Sequence, residues 1–339
     1  MQKLAIVILN YNGKDFLQKF LPSVLSNSPE GSVIVADNAS TDQSVSLLKK
    51  GFPQVRLIEI KVNGGYSAGY NEALRQIEAE YYVLLNSDVE VTPNWTEPIV
   101  QFLDKNPQVA ACQPKILSWN RKDEFEYAGA AGGFIDSLGY PFCRGRVFQT
   151  LEKDLHQYDD VQQIFWATGA CLFIRSSIFH NLGGLDDDFF AHMEEIDLCW
   201  RINSAGYKVF YIGESTVFHV GGGTLKQGNP RKTYLNFRNG LTLLYKNLPW
   251  TKLLWKLPIR IFLDLIAALK FLLSDRSPKN AAAVLKAHKD FFTNLNTYKS
   301  GRKQALKQRV VKKDKKIYSG SIVLDYFLRR RKTFSKVNF

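Results

Sequence analysis

Cysteine is scarce in this chain: Cys112, Cys143, Cys171 and Cys199 are the only four in 339 residues, and no two stand in Cys-x-x-Cys spacing. That scarcity excludes a disulfide framework and a cysteine zinc site, and the apolar neighbours of most of them point to buried free thiols in a reducing compartment. Apolar runs long enough to span a bilayer are also missing. The longest candidate, residues 253–273, contains Pro258 and carries Lys256, Arg260, Asp264 and Lys270. It reads as a helix lying in the plane of a membrane surface or as a helix packed on the body of the protein. The first apolar run, residues 4–9, stops early in Asn10-Tyr11-Asn12-Gly13 without a small-residue cleavage site, so it reads as a first strand and not as a signal peptide. No Gly-x-Gly-x-x-Gly follows that strand, which argues against a dinucleotide-binding dehydrogenase. No internal repeat is present.

Acid is nearly absent from the last third. Residues 1–223 hold 18 Lys/Arg against 27 Asp/Glu, a balance of −9, whereas residues 224–339 hold 27 against 5, or +22. The net charge of +13 therefore belongs wholly to the carboxyl-terminal part. A basic extension on an acidic body suggests a polyanionic surface as partner, nucleic acid or the anionic face of a membrane. We expect a catalytic domain over residues 1–223 and a basic, amphipathic helical region over 224–339, with Lys312-Lys313-Asp314-Lys315-Lys316 and Arg329-Arg330-Arg331-Lys332 as solvated or lipid-facing clusters.

What is present is a rhythm. Apolar strand candidates at 5–9, 33–36, 55–60 and 81–85 alternate with helical segments near 14–26, 43–50 and 68–78, the pattern of a doubly wound, mainly parallel sheet flanked by helices. Residues 107–165 are less regular. Order returns at 165–174, in a helix near 194–205 stopped by Gly206, and in a strand at 208–212.

Four polar clusters interrupt this pattern. Tyr81-Tyr82-Val83-Leu84-Leu85 ends on Asn86-Ser87-Asp88, placing a carboxylate at the carboxyl end of a buried strand, where ligands bind in open α/β sheets and where it can hold a divalent cation against a phosphate. The triplet also suits an ordinary turn. The second strand ends on Asp37-Asn38, with Asp37 placed to accept hydrogen bonds from a ribose or base while Asn38 to Asp42 cap the next helix. Asn63-Gly64-Gly65-Tyr66-Ser67-Ala68-Gly69-Tyr70-Asn71 opens a helix with small residues that let backbone amides approach an anion or a base. Finally, Glu194-Glu195-Ile196-Asp197 starts a helix where one carboxylate can act as general base, and His219 follows a short apolar run as a metal ligand or a structural histidine.

In order and context these clusters resemble family 2 glycosyltransferases of the GT-A fold, in particular their non-processive, rhamnosyltransferase-like branch, over residues 4–245. The resemblance implies a Rossmann-like, mixed and mainly parallel sheet, and a metal-dependent, inverting transfer of one sugar from a nucleoside-diphosphate sugar. The donor would be UDP- or dTDP-linked, and the acceptor a hydroxyl of a glycan or of a polyprenyl-diphosphate-linked molecule in cell-surface polysaccharide synthesis. It assigns Asp37 to the nucleotide, with Asn10, Asn38, Asn63, Gly69, Asn71, Asn86 and Ser87 around it; Asp88 and His219 to Mg²⁺ or Mn²⁺; and Glu195 to the general base. Trp166, Thr168, Gly169, Glu194 and Asp197 would lie on the acceptor side. Asn86 stands where the family has its first acid, and Glu195 where it usually has Asp. The Gln-x-x-Arg-Trp element of processive synthases is absent. The protein is expected in the cytoplasm, attached peripherally to the inner face of the plasma membrane.

Three other readings fit less of the chain. A sugar nucleotidyltransferase would carry a Gly-rich element with Arg and Lys after Leu9, and none is there. A nucleic-acid-binding protein would explain the basic extension but not the carboxylate clusters, so no nucleic acid partner is expected. A catalytically silent membrane adaptor retaining the fold would keep the clusters without turnover.

Overall fold

The computed structural model describes residues 1–221, 228–311, 316–337 and 339; Gly222-Gly223, the expected boundary at 223/224 and residues 312–315 of the first basic cluster lie outside them. The chain begins with β1 (Gln2–Asn10), α1 (Lys14–Ser26), β2 (Gly31–Asn38), α2 (Ser44–Gly51), β3 (Arg56–Ile60), α3 (Gly65–Leu74) and β4 (Ala79–Asn86). The short β5 (Val89–Val91), α4 (Glu97–Lys105) and β6 (Val109–Ser118) follow. Short strands come next: β7 (Gly133–Asp136), β8 (Pro141–Cys143), β9 (Arg146–Val147), β10 (Thr150–Leu151) and β11 (Val161–Ile164). Then come β12 (Cys171–Arg175), α5 (Ser176–Asn181), α6 (Glu194–Ser204) and β13 (Lys208–His219). The basic third folds as α7 (Pro230–Asn247), α8 (Trp250–Leu273), α9 (Pro278–Thr293), α10 (Leu295–Lys307), β14 (Ile317–Tyr318) and α11 (Ile322–Phe327).

The main sheet runs β11-β13-β6-β12-β4-β1-β2-β3, with β5 added at the end of β13. Strands β1, β2, β3 and β4 are mutually parallel, and β12 lies antiparallel between β4 and β6. Strand β13 pairs parallel to β6, so the carboxyl ends of β1, β2, β4, β6 and β13 share one edge of the sheet. β4 is central because both of its faces are apolar. Tyr82 and Leu84 pack with Tyr70 and Leu74 of α3, while Tyr81, Val83 and Leu85 pack with Leu17 and Leu21 of α1 and Ile99 of α4. Alternate residues of a strand face opposite sides, so one continuous apolar run serves two helical layers.

Two elements differ from the sequence reading. β6 is a ten-residue interior strand in the stretch read as irregular, disguised by Gln113-Pro114-Lys115. Proline is tolerated there because β6 pairs with β12 only at Ala111 and Cys112, so the Pro114 nitrogen has no ladder partner to lose on that side, and Lys115 is neutralised by Asp154 and Asp159. β13 runs on past residue 212 to His219, crossing a register irregularity between Ile212 and Thr216 that hides its continuity.

The basic third shares a core with the rest. β14 extends a second sheet of order β10-β9-β8-β7-β14, and Tyr318, Ile322, Phe291 and Tyr298 belong to the same buried cluster as Phe134, Phe142 and Trp200. Arg329 and Arg331 of the second basic cluster pair with the buried Asp325.

Candidate active site

At the shared edge, Asn10 ends β1 opposite Asp37 of β2. Asp37 is buried, accepting from Asn10 Nδ2 and from the Ser40 amide, each at 2.9 Å. Asn38 donates to Asn63 Oδ1 and to the Gly65 carbonyl, each at 3.0 Å. The Oδ1 atoms of Asn10 and Asn38 are buried without a protein partner, an arrangement that native structures keep for a ligand or ordered water. Asn10 Oδ1 faces Gly13 so closely that a Cβ there would fall 2.4 Å from it and 3.4 Å from Ser87 Oγ. Asn10, Asp37, Asn38, Asn63 and Ser87 are thus gathered around the ends of β1, β2 and β4. Gly69 borders this group: a Cβ on it would stand 2.8 Å from Leu9 and 3.1 Å from Asn38 Nδ2, so this glycine lets α3 press on β1 and on Asn38. Asn71 is turned elsewhere, binding Leu185 through both its carbonyl and amide groups, at 3.0 and 2.7 Å, and reaching Asp187 at 2.8 Å.

Strand pairing brings the next group together. β5 sets Val89 opposite His219, which leaves Asp88 beside the end of β13, and His219 Nε2 lies 3.1 Å from Asp88 Oδ1. On its other side His219 Nδ1 stands 3.1 Å from Glu126 Oε2, and Asn86 Nδ2 is 3.4 Å from Nε2. Burial would lower the imidazole pKa, but the Glu126 and Asp88 carboxylates outweigh it and push it up to about 10. Burial likewise raises Asp88 and Glu126, and protonated His219 overrides it, holding both below the ordinary carboxylate values. Glu126 escaped the sequence reading because Phe125-Glu126-Tyr127 lies in the irregular region, with no periodicity to mark it.

The third group surrounds the start of α6. Phe190, His192 and Met193 all have left-handed backbones, with φ of 64°, 69° and 75°. Such conformations cost about 1–3 kcal/mol each in non-glycine residues and persist only where surroundings enforce them. Here the enforcement comes from α3 and α7. The Tyr66 amide donates to the Phe190 carbonyl at 2.7 Å, a close approach that requires Gly65, whose Cβ would sit 2.5 Å from that oxygen. The Gly65 amide donates to Asn63 Oδ1, so the first amides of α3 are engaged within the protein. From α7, the buried Asn239 Nδ2 reaches the carbonyls of Phe189, Ala191 and His192 at 3.0, 3.0 and 2.6 Å, while Arg238 binds those of Asp188 and Phe189. A polar Asn239 on an otherwise buried face of α7 was the available signal for this clamp. Asn239→Ala is expected to lower kcat about 10²-fold with little change in the donor KM, since the strained turn loses its register while the nucleotide contacts stay; steady-state kinetics check this.

The clamped turn delivers Glu194 and Glu195 to the α6 amino terminus, each with a buried Oε2 lacking a partner. Burial pushes Glu194 well above its ordinary value, and the adjacent Glu195 charge adds to this. Glu195 is pushed up to about 7 by burial, against the pull of the Glu195, Ile196 and Met193 amides. Two adjacent carboxyls whose charged forms are both disfavoured by burial mark an acid–base site.

The remaining assigned residues sit apart from solvent. Asp197 is fully buried and held by Arg201 at 2.9 Å, Lys246 at 3.0 Å and Asn247 at 2.8 Å. Burial opposes its ionisation, but Lys246 and Arg201 bring its pKa down to about 2. Removing one partner of a buried ion pair typically costs about 3–5 kcal/mol. Asp197→Asn is therefore expected to lower the thermal unfolding midpoint strongly at neutral pH. Because the folded pKa is depressed, this contribution is present above the unfolded value of 3.8 and fades as pH falls toward 2, so mutant and wild type should converge in acid. Trp166 is also internal, donating to the Phe134 carbonyl at 2.8 Å with its ring against Gly133. Thr168 Oγ1 accepts from Ala170, the Gly169 carbonyl accepts from Tyr66 Oη at 2.6 Å, and the Ala170 carbonyl accepts from the Asn86 amide. This loop therefore lies against the end of β4.

Compared with known proteins, residues 5–183 match the family described as Glycosyl transferase family 2. The chain belongs to that family. It is 27% identical over 235 residues to the N-acetylglucosaminyl-diphospho-decaprenol L-rhamnosyltransferase of Mycobacterium tuberculosis strain H37Rv, covering 64% of this chain and 75% of that protein. It is 22% identical over 223 residues to the rhamnosyltransferase WbbL of Escherichia coli K12, covering 63% and 82%. Among solved structures, GalNAc-T7 with UDP, GalNAc and Mn²⁺ superposes with a TM-score of 0.59 at 14% identity, over 88% of this chain and 58% of that one. The mannosyltransferase PcManGT of Pyrobaculum calidifontis, with GDP-Man and Mn²⁺, gives 0.52 at 14% identity, over 91% and 86%. These two establish the fold, GT-A. In this family 2 glycosyltransferase, α7 and its clamp on the Glu194–Glu195 turn lie beyond the matched residues.

Proposed function

We propose that the protein moves one sugar from a nucleoside-diphosphate sugar, UDP- or dTDP-linked, to a hydroxyl of a polyprenyl-diphosphate-linked or glycan acceptor, inverting the anomeric configuration, in the synthesis of a cell-surface polysaccharide. The observation that carries this reading is Glu195: a carboxyl titrating near neutrality, with an unpartnered oxygen, fixed on a strained turn beside the ligand edge of the sheet. Glu195 takes the proton of the acceptor hydroxyl as its oxygen bonds to the anomeric carbon. The bond from that carbon to the diphosphate breaks on the opposite face, and its electron pair leaves with the nucleoside diphosphate. Burial and the adjacent Glu195 carboxylate both disfavour charge on Glu194, so the pair carries one charge more readily than two.

The residues at the end of β4 and β13 fit a divalent cation. Asp88 Oδ1 and His219 Nε2 are joined by a hydrogen bond at 3.1 Å, so a divalent cation would take the place of the shared proton and be met by the carboxylate and the neutral imidazole. Asp88 and His219 would hold Mg²⁺ or Mn²⁺, which when bound neutralises charge on the departing diphosphate. The relatives' names support this reading: one describes rhamnosyl transfer to a lipid-linked N-acetylglucosamine, and two structures of the same fold hold Mn²⁺ with UDP or GDP-mannose. A lipid-linked acceptor would call for an enzyme attached peripherally to the inner face of the plasma membrane.

A thermal-shift panel of UDP-, dTDP- and GDP-sugars with Mn²⁺ tests the donor side. At least one is expected to raise the melting temperature, and less so with a chelator; no shift from any nucleotide sugar contradicts the proposal.

A further inference from the structure

Helix α8 buries two of its charges, Arg260 and Asp264, on its inner face and turns many of its large apolar side chains outward, the reverse of an ordinary surface helix. An ion pair within the helix fastens its inner face to the catalytic body through Tyr140 and Leu138. Arg260 Nε donates to Asp264 Oδ1 at 2.9 Å, its guanidinium lies 3.7 Å over the Tyr140 ring, and Tyr140 Oη donates to the same carboxylate at 2.7 Å. Both charged residues are buried. Outward, Trp255, Ile259, Phe262, Ile266, Leu269 and Leu273 alternate at spacings of four and three residues, which makes one continuous stripe. Exposure along it is large, 71% at the adjoining Leu254, 63% at Phe262 and 67% at Leu273. A helix of 24 residues is about 36 Å long, so the stripe exceeds the isolated apolar residues normal on a soluble surface.

The charges around it choose the occupant. The one carboxylate of α8, Asp264, faces inward, while Lys252 and Lys270 flank the stripe, the latter beside Asp275. α9, packed alongside, shows Leu285, Lys289 and Phe292 on its own exposed face. A second copy docked about a twofold axis would set lysine rims against each other, a like-charge juxtaposition that a self-complementary interface avoids. No described helix is long and apolar enough to cross a membrane.

We propose that the outer face of α8 seats in an anionic lipid surface, with the Trp255–Leu273 stripe below the headgroups and the flanking lysines among them. This deepens the proposed function and rests on it only for the reason the enzyme should lie there, since a polyprenyl-linked acceptor is confined to the bilayer.

The test compares the full chain with a variant carrying Trp255→Ser, Phe262→Ser and Leu269→Ser, all at exposed positions, on vesicles of phosphatidylglycerol and of phosphatidylcholine. The wild type is expected to co-sediment with phosphatidylglycerol vesicles, less in high salt and less on phosphatidylcholine, and the variant to partition about tenfold more weakly. An unchanged melting temperature and unchanged nucleotide-sugar binding show that the variant is folded. Equal partitioning of variant and wild type overturns the proposal, as does equal binding of the wild type to both lipids. A wild-type dimer that the substitutions dissociate, with no vesicle binding, also overturns it and makes the stripe a subunit interface. Vesicle binding lost in the variant alone, in a protein that turns over no nucleotide sugar, supports the surface assignment while contradicting the enzymatic reading.

Discussion

Glu195→Gln is expected to lower turnover by about 10²–10⁴-fold while leaving donor affinity unchanged. Glutamine matches the shape of glutamate and keeps the contacts of the α6 start, but it cannot accept a proton from the acceptor hydroxyl. Stability should not suffer. Burial raises the folded pKa of Glu195 to about 7, so between its unfolded value of 4.5 and 7 folding becomes less favourable as pH rises, and the amide removes that cost. In the wild type the base works only when ionised, so kcat should climb with pH through roughly 7 and level off above it. Calorimetry with the nucleotide sugar checks the split. Lost donor binding would move Glu195 into the nucleotide site.

Asp88→Ala is expected to cost about 10²–10³-fold in turnover and to abolish the response to added Mn²⁺, whereas Asn86→Ala should cost much less. The distinction is one of charge. Asp88 is held ionised despite its burial, while Asn86 contributes a neutral amide 3.4 Å from His219 Nε2. With Asp88 gone, His219 keeps Glu126 as its remaining carboxylate partner, 3.1 Å away. Turnover measured across a Mn²⁺ titration separates the variants. Normal rate and normal metal response in Asp88→Ala would remove Asp88 from the cation site.

The main sheet was legible wherever one pattern decided the element. Helix α1 was bounded by the polar turn at Asn10–Gly13, and α6 by its acidic first turn and Gly206. β4 was marked by an apolar run buried on both faces. The reading lost β6 because its buried polar residues, Gln113 and Lys115, are satisfied by partners far away in sequence, Thr168 and Asp154 among them. Glu126 and Asn239 were hidden for the same reason. Their roles come from contacts with His219 and with the carbonyls of residues 189–192; no local pattern announces Glu126, and Asn239 is marked only by its polarity on a buried helix face. Residues 253–273 showed their charges and apolar content, but not that Arg260 and Asp264 point inward. That depends on Tyr140 and Leu138, more than a hundred residues earlier.

The central claim is a single displacement at the anomeric carbon with Glu195 as base, and the anomeric configuration of the product tests it most directly. With a donor selected by thermal shift and a polyprenyl-diphosphate-linked acceptor, proton NMR of the isolated product should show the configuration opposite to that of the donor, and Glu195→Gln should form little of it. A product retaining the donor's configuration would contradict the account.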